Sequence, residues 1–141
     1  AAVSMGLVVA LSAPENTVIV ISGDGEILMN LGALATVATM APPNLSIVCI
    51  DNQSHGETGG QAGHTSKQTN LAEIASAAGI PNVISIFTKR DLVKGKRLIE
   101  SSIGPDFLLV KVNSAKPAKF KRNLDPSECR LRFRNAFLKS K

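Results

Sequence analysis

Residues 17–26 have the sequence TVIVISGDGE, and this stretch decides the fold. Its first six residues form a short, mostly β-branched apolar run, which is typical of a strand that is covered on both faces. The run stops at Gly23-Asp24-Gly25, because glycines permit a tight turn and disfavour a continued strand. The stretch therefore predicts a buried strand whose carboxyl end carries an acidic turn.

Three more short apolar runs follow along the chain, at residues 45–50 (LSIVCI), 82–87 (NVISIF) and 107–112 (FLLVKV). Helical patterns flank and separate these four predicted strands, at residues 1–14, 28–40, 71–78, 91–102 and 126–139. Strands that alternate with helices need crossover connections, which produce parallel pairing. We therefore predict an α/β fold, a three-layer sandwich with a mainly parallel sheet and helices on both faces.

The composition narrows the class of protein. Hydrophobic residues make up 44% of the 141 residues, which is enough for one compact domain with a buried core. No apolar run reaches the roughly 18 residues that span a bilayer, so we expect no membrane segment. Two cysteines, Cys49 and Cys129, do not make a disulfide framework, and we therefore expect a cytoplasmic location.

Charge is divided unevenly along the chain. Residues 1–88 hold one base, Lys67, against six acids, whereas residues 89–141 hold fifteen bases against five acids. A basic half can bind nucleic acid or dock on an acidic subunit. The absence of Trp and Tyr, which stack on nucleobases, argues against nucleic acid. A basic nucleic-acid-binding module remains the alternative outside the enzymes.

Two polar motifs follow the first two predicted strands. Asp24 follows the first strand, Asp51-Asn52 follows the second, and Asn52 lies 28 positions after Asp24. On neighbouring parallel strands these side chains would meet at one edge of the sheet, where α/β folds bind ligands. A carboxylate, an amide oxygen and a backbone carbonyl suit Mg²⁺, which completes its octahedron with water and phosphate oxygens. Either motif alone is ordinary turn chemistry, but together they predict a magnesium and phosphate site.

The chain resembles the thiamine-diphosphate enzymes in these motifs. Gly23-Asp24-Gly25 followed by an Asn-containing pair resembles their cofactor motif, and residues 29–32 (MNLG), 34–36 (LAT) and 44–48 (NLSIV) are similar to the cofactor-binding domain of 2-oxoacid decarboxylases. Residues 56–61 (GETGGQ), with His64-Thr65, are most similar to the split sulfopyruvate and phosphonopyruvate decarboxylases. The resemblance covers roughly residues 1–112. It implies the thiamine-diphosphate-binding fold and the C-terminal, diphosphate- and magnesium-binding domain.

By this resemblance, the Asp24 and Asn52 side chains and the Ser54 carbonyl would bind Mg²⁺. Gly25 and Glu26 would offer backbone N–H groups to the diphosphate of thiamine diphosphate. The wider set of implied cofactor contacts is Gly23, Asp24, Gly25, Glu26, Asn52, Ser54, Gly56 and Thr58. Asp51 departs from the family, which usually has Asn there.

His55 and His64 are the two histidines of the chain, and both lie in the Gly-rich segment of residues 53–68. They are the candidate catalytic residues, as a proton donor or as a contact to the substrate carboxylate, because histidine titrates near neutrality. The alternative is that both are solvated loop histidines.

The resemblance also implies a partner. Residues 1–113 would form the thiamine-diphosphate and magnesium domain, without the upstream segment of the family's domain, and residues 114–141 would be a basic linker and C-terminal helix of the same domain. The activating glutamate belongs to a pyrimidine-binding domain, which we expect on a partner subunit in a hetero-oligomer, or through self-association.

The expected activity is decarboxylation of a small 2-oxoacid substrate. A carboligase similar to acetolactate synthase is one alternative. The other is a β subunit of a 2-oxoacid:ferredoxin oxidoreductase, a type that carries cluster-binding cysteines which this chain lacks.

Overall fold

A sheet of four parallel strands forms the centre of the computed structural model, which describes residues 1–101, 103–114 and 123–139. The strands in chain order are β1 (Val18–Gly23), β2 (Leu45–Asp51), a short hairpin β3 (Ser54–His55) and β4 (Gln61–Ala62), β5 (Asn82–Ile86) and β6 (Asp106–Lys111). The sheet has the order β1-β2-β6-β5, and every pairing in it is parallel. The predicted parallel sheet is confirmed, and each predicted strand boundary holds to within one residue.

The helices are α1 (Ala2–Ser12), α2 (Asp24–Met29), α3 (Gly32–Met40), α4 (Leu71–Ala77), α5 (Leu92–Ser101) and α6 (Pro126–Lys139). The helix predicted over residues 28–40 is confirmed from Gly32 to Met40 by α3, but residues 28 and 29 belong to α2 and the helical conformation is interrupted between the two. Helix α2 begins immediately after β1, and the chain leaves the helical conformation at Asn30, whose φ is −135° and whose side chain donates to Ser4 Oγ at 3.1 Å. The last predicted helix is confirmed by α6, whereas most of the predicted linker, residues 115–122, lies outside the described residues.

Helices cover both faces of the sheet, as predicted. On β6, alternate side chains point to opposite faces. Phe107 and Leu109 join the core cluster with residues of α1, α3 and α4, whereas Leu108 faces α5, where Gly95 comes close to Ile86 and Leu108. Fully or almost fully buried apolar residues make up the larger core: Ala10, Ile27, Leu34, Val37, Leu45, Ile47, Cys49, Leu71, Ala75, Phe107 and Leu109.

Several apolar side chains remain on the surface of the described residues. Ile19 and Ile21 of the edge strand β1 are 48% and 69% exposed. Helix α1 exposes Met5, Val8 and Leu11, although it is rich in apolar residues all round its circumference. A helix of that composition is usually covered on every side, so this surface is suited to a contact with another chain or segment.

No helix in the described part of the chain is long and apolar enough to cross a membrane.

Close approach of α1 to β1 gives a test of the packing. A Cβ placed on Gly6 would overlap Val20 Cγ2, so we expect Gly6→Ala to lower the free energy of unfolding by about 1–3 kcal/mol through overpacking. Gly32→Ala is the matched control, because Gly32 also lies in a helix but its added Cβ would meet nothing within 4 Å. Urea denaturation of both variants measures the difference. A Gly6→Ala variant as stable as Gly32→Ala would contradict the close packing of α1 on β1.

Candidate functional site

Two acidic side chains leave the sheet side by side at the carboxyl ends of β1 and β2. In the parallel register Gly23 of β1 is the partner of Ile50 of β2, so the next residues are Asp24 and Asp51. Both are buried, with 3% and 1% of their surface exposed. The prediction that the two polar motifs follow neighbouring strands is therefore confirmed.

Thr65 links the two carboxylates. It is buried in a short 3-10 turn (His64–Ser66), and its hydroxyl oxygen lies 2.8 Å from Asp24 Oδ2 and 2.8 Å from Asp51 Oδ1. A hydroxyl carries one proton, so it can donate to one of these carboxylates at a time. One of the two short oxygen–oxygen contacts is therefore without a hydrogen from Thr65.

Asp51 has a cation of its own. Its register partner on β6 is Lys111, whose ammonium Nζ lies 2.5 Å from Asp51 Oδ2, an oxygen with no other polar partner among the described residues. The charges of both acids reach Cys49, which lies two residues before Asp51. Burial, together with the negative charges of Asp51 and Asp24, raises the pKa of the Cys49 thiol to about 12.

Asp24 differs from Asp51 because no Lys or Arg of the described residues lies within ion-pair distance of it. Its polar side-chain contact is the hydroxyl that it shares with Asp51. A buried carboxylate without a counter-charge is costly, so a bound cation at Asp24 would be stabilising. The described residues contain no group of three or more His, Cys, Asp and Glu that could hold a metal. A magnesium site with one carboxylate, one amide and one carbonyl ligand is compatible with both observations.

The other two predicted metal ligands lie at the tip of β2. Asn52 Oδ1 accepts a hydrogen bond from Ser54 N at 3.0 Å, and neither residue makes a hydrogen bond with Asp24. Between them, Gln53 has a φ of 61° and donates its backbone N–H to Asp51 Oδ1 at 2.9 Å. Asn52 directly follows Asp51 and Ser54 begins β3, and their role as metal ligands stays a prediction.

The Gly-rich segment is more regular than the predicted loop. Strands β3 and β4 pair antiparallel, and the turn between them is closed by a hydrogen bond from Gly60 N to His55 O at 2.9 Å. Thr58 is exposed, and its hydroxyl donates to Gln61 Oε1 at 3.1 Å. Gly56 is exposed in the same turn. These two predicted cofactor contacts therefore lie at the tip of a hairpin.

The two histidines have different environments. The ring of half-buried His55 lies against the Gly-Asp-Gly turn, since a Cβ on Gly25 would be 3.1 Å from His55 Nδ1. His64 is exposed in the 3-10 turn. The structure therefore brings His55, and not the side chain of His64, next to Gly25.

Glu26 points its carboxylate away from the other acids. Oε2 accepts the Ser22 hydroxyl at 2.7 Å, and Oε1 accepts the backbone N–H of Ala2 at 3.2 Å. The Ser22 hydrogen bond, followed by the Ala2 hydrogen bond, lowers the pKa of the Glu26 carboxyl. Only the backbone N–H of Glu26 is left for an anion, as the resemblance implies. Like Gly25 N–H, it lies in the first turn of α2, where N–H groups lack helical partners.

Thr65 and Lys111 are site residues that sequence reasoning did not select. Together with Lys67, Ser85 and Phe87 they line a cleft of about 330 Å³ at the carboxyl ends of β5 and β6. The one signal in the sequence was a base at the end of an apolar strand, in FLLVKV. That signal becomes informative once β6 is known to lie beside β2.

Comparison with solved structures defines the class of the fold. The chain superimposes on a Rhodococcus jostii RHA1 thiamine-diphosphate-dependent 4-hydroxybenzoylformate decarboxylase with a TM-score of 0.63, at 17% sequence identity over 79% of this chain and 22% of that one. The fold is thus the thiamine-diphosphate-binding fold. The family model of the C-terminal TPP binding domain of thiamine pyrophosphate enzymes matches residues 1–108, and the chain belongs to this family.

Relatives with established names are similar over most of the chain. The β subunit of sulfopyruvate decarboxylase from Methanocaldococcus jannaschii is 52% identical over 80 residues, which are 57% of this chain and 42% of that subunit. The Methanococcus maripaludis β subunit is 36% identical over 96% of this chain and 72% of its own length. Phosphonopyruvate decarboxylase from Streptomyces hygroscopicus is 37% identical over 94% of this chain, which spans 33% of that enzyme.

Modification of the two cysteines tests whether β2 is buried near its carboxyl end. Cys49 is buried and stays a neutral thiol because its pKa is raised to about 12, whereas Cys129 is exposed on α6. At pH 8 we expect a chromogenic disulfide reagent to modify one thiol rapidly in the native protein and both in urea. Cys129→Ser is the control and should remove the rapid phase. Rapid modification of both thiols without urea would contradict a buried Cys49.

Proposed function

We propose that this chain is the cofactor-binding part of a thiamine-diphosphate-dependent decarboxylase that acts on a small acidic 2-oxoacid, in the manner of its sulfopyruvate and phosphonopyruvate decarboxylase relatives. One observation carries the proposal: in a chain of the C-terminal TPP binding family, Asp24 is a buried carboxylate that no Lys or Arg of the described ranges pairs with, at a strand tip where a bound cation would be stabilising. We assign the cofactor domain to residues 1–113, and to residues 114–141 a basic linker and a C-terminal helix that belong to it.

Thiamine diphosphate, when bound, supplies the ylid that stabilises a carbanion during decarboxylation. Asp24 and Asn52 would hold Mg²⁺ through their side chains, and Ser54 through its carbonyl. The backbone N–H groups of Gly25 and Glu26 would donate to the diphosphate from the start of α2. Gly23, Gly56 and Thr58 are the further proposed contacts.

His55 is the better placed of the two candidate catalytic residues. Its ring lies against Gly25, so a group held beside the Gly-Asp-Gly turn is within its reach. There a histidine could donate a proton or bind the substrate carboxylate. His64 is exposed, and its side chain does not come within 4 Å of a Cβ placed on Gly25.

A partner would complete the site. The pyrimidine-binding domain with its activating glutamate is proposed to lie on another subunit, as the name "subunit beta" of the methanogen relatives suggests for those proteins. The exposed apolar side chains of Met5, Val8 and Leu11 on α1 offer a surface for such an interface. We expect a hetero-oligomer in the cytoplasm.

Sequence identity does not decide between sulfopyruvate and phosphonopyruvate as the substrate. A sulfopyruvate decarboxylase β subunit and a phosphonopyruvate decarboxylase are 36% and 37% identical to the chain over nearly all of its length. A carboligase would use the same cofactor residues, and product analysis distinguishes it. The ferredoxin-linked oxidoreductase is disfavoured, since one of the two cysteines is buried in the core and the other lies on α6.

The cofactor assignment is tested by calorimetry of thiamine diphosphate with Mg²⁺, on the full chain with and without its pyrimidine-domain partner. We expect Asp24→Ala to abolish magnesium-dependent binding, because the carboxylate that is proposed to hold the ion is lost. Glu15→Ala is the control, since it removes a carboxylate at the opposite end of β1 and should bind as tightly as wild type. Undiminished binding by Asp24→Ala would refute the metal assignment.

The substrate is tested with the reconstituted pair of subunits. We expect CO₂ release from sulfopyruvate or phosphonopyruvate at a higher kcat/KM than from pyruvate, because the relatives act on acids with a second anionic group. Chromatography of the products shows whether a free aldehyde or a carboligation product forms. Preference for pyruvate with accumulation of a carboligation product would favour the acetolactate-synthase-like alternative.

A further inference from the structure

Buried Asp51 and half-buried Lys111 form an ion pair across two strand tips. They are register partners as the last residues of β2 and β6, and their charged atoms lie 2.5 Å apart. The Asp51 side chain is 1% exposed and that of Lys111 25% exposed, so water screens the pair poorly. The Lys111 ammonium therefore offsets most of the negative charge of the Asp51 carboxylate.

Asp51 is close enough to compete with Asp24 for a cation. Both carboxylates lie 2.8 Å from the same Thr65 hydroxyl oxygen, so a divalent ion bound at Asp24 would be near Asp51 as well. A free carboxylate in that position would join the coordination sphere. Lys111 and the backbone N–H of Gln53 instead occupy both Asp51 oxygens.

The same contacts hold the segment that follows β2. Asp51 Oδ1 accepts Gln53 N, and Gln53 Nε2 donates to Thr65 O at 2.9 Å. Gly63 N donates to Gln53 O at 2.8 Å, which ties the far side of the hairpin to the same residue. Through Gln53, Asp51 thus stabilises the conformation of the loop that carries Asn52 and Ser54.

We propose that Asp51 and Lys111 are positioning residues, a neutralised pair that keeps Asp51 out of the cation's coordination sphere and leaves Asp24 as the carboxylate ligand, so that the site favours Mg²⁺ over Ca²⁺. The inference rests on the proposed function. Its physical basis is that Mg²⁺ uses few protein ligands, whereas Ca²⁺ takes six to eight oxygens and gains from an additional carboxylate.

The test measures the ratio of Mg²⁺ to Ca²⁺ affinity in calorimetric titrations of the full chain with its partner and thiamine diphosphate. Lys111→Met releases the Asp51 carboxylate, and we expect the ratio to shift toward Ca²⁺ by about tenfold. Lys111→Arg keeps the charge and should retain the wild-type ratio. Reduced stability with an unchanged ratio in Lys111→Met would show that the pair is only structural and would overturn the proposal.

A second variant covers the case in which Lys111→Met does not fold. Asp51→Asn frees the Lys111 ammonium to compete for Asp24, so both affinities should fall by about tenfold with little change in their ratio. The double variant Asp51→Asn/Lys111→Met removes both charges and should recover wild-type affinity. Equal affinities in wild type and Asp51→Asn would contradict the inference. Failure of the wild-type assembly to bind either ion would instead refute the proposed function.

Discussion

One hydroxyl proton between two buried carboxylates is the constraint on which the rest of this edge depends. Parallel pairing of β1 with β2 sets Asp24 beside Asp51, and Thr65 is 2.8 Å from each. Burial makes the repulsion of like charges expensive, so each acid needs compensation. Lys111 compensates Asp51, while no residue of the described ranges compensates Asp24. The protein chain therefore contains one buried acid that is paired with an ammonium and one that is suited to an external cation.

The hairpin above the site is held by the same groups. Gln53 adopts a left-handed φ of 61°, a conformation that is unfavourable for a residue with a side chain. Hydrogen bonds at its N–H, its carbonyl and its side chain, to Asp51, Gly63 and Thr65, offset that cost. Removing the Asp51 carboxylate would therefore also remove one of the hydrogen bonds that stabilise this conformation of Gln53. Local fold and binding site are stabilised by one set of contacts.

Local sequence patterns were sufficient for the strands and for most helix ends. The β-branched run before Gly23 predicted β1 to within one residue. Asn70 caps α4, since its side chain accepts from Ala72 N and Glu73 N. The pattern did not predict the interruption at residues 30 and 31. The interruption there involves Asn30 donating to Ser4, a residue 26 positions earlier, and periodicity within one segment contains no information about such a contact.

The composition of the chain does not show the role of Lys111, the charge that distinguishes Asp51 from Asp24. By sequence, Lys111 belongs to the basic half, which suggested a surface for an acidic partner or a nucleic acid. By strand order, it belongs to the acidic edge, because β6 lies between β2 and β5 and brings its last residue against Asp51. A count of charges along the chain does not show which charged residues meet in the folded structure. Which base compensates which acid is decided by topology, and the order β1-β2-β6-β5 requires contacts between segments far apart in sequence. The two motifs could therefore be predicted to meet, while the cation that distinguishes Asp51 from Asp24 could not.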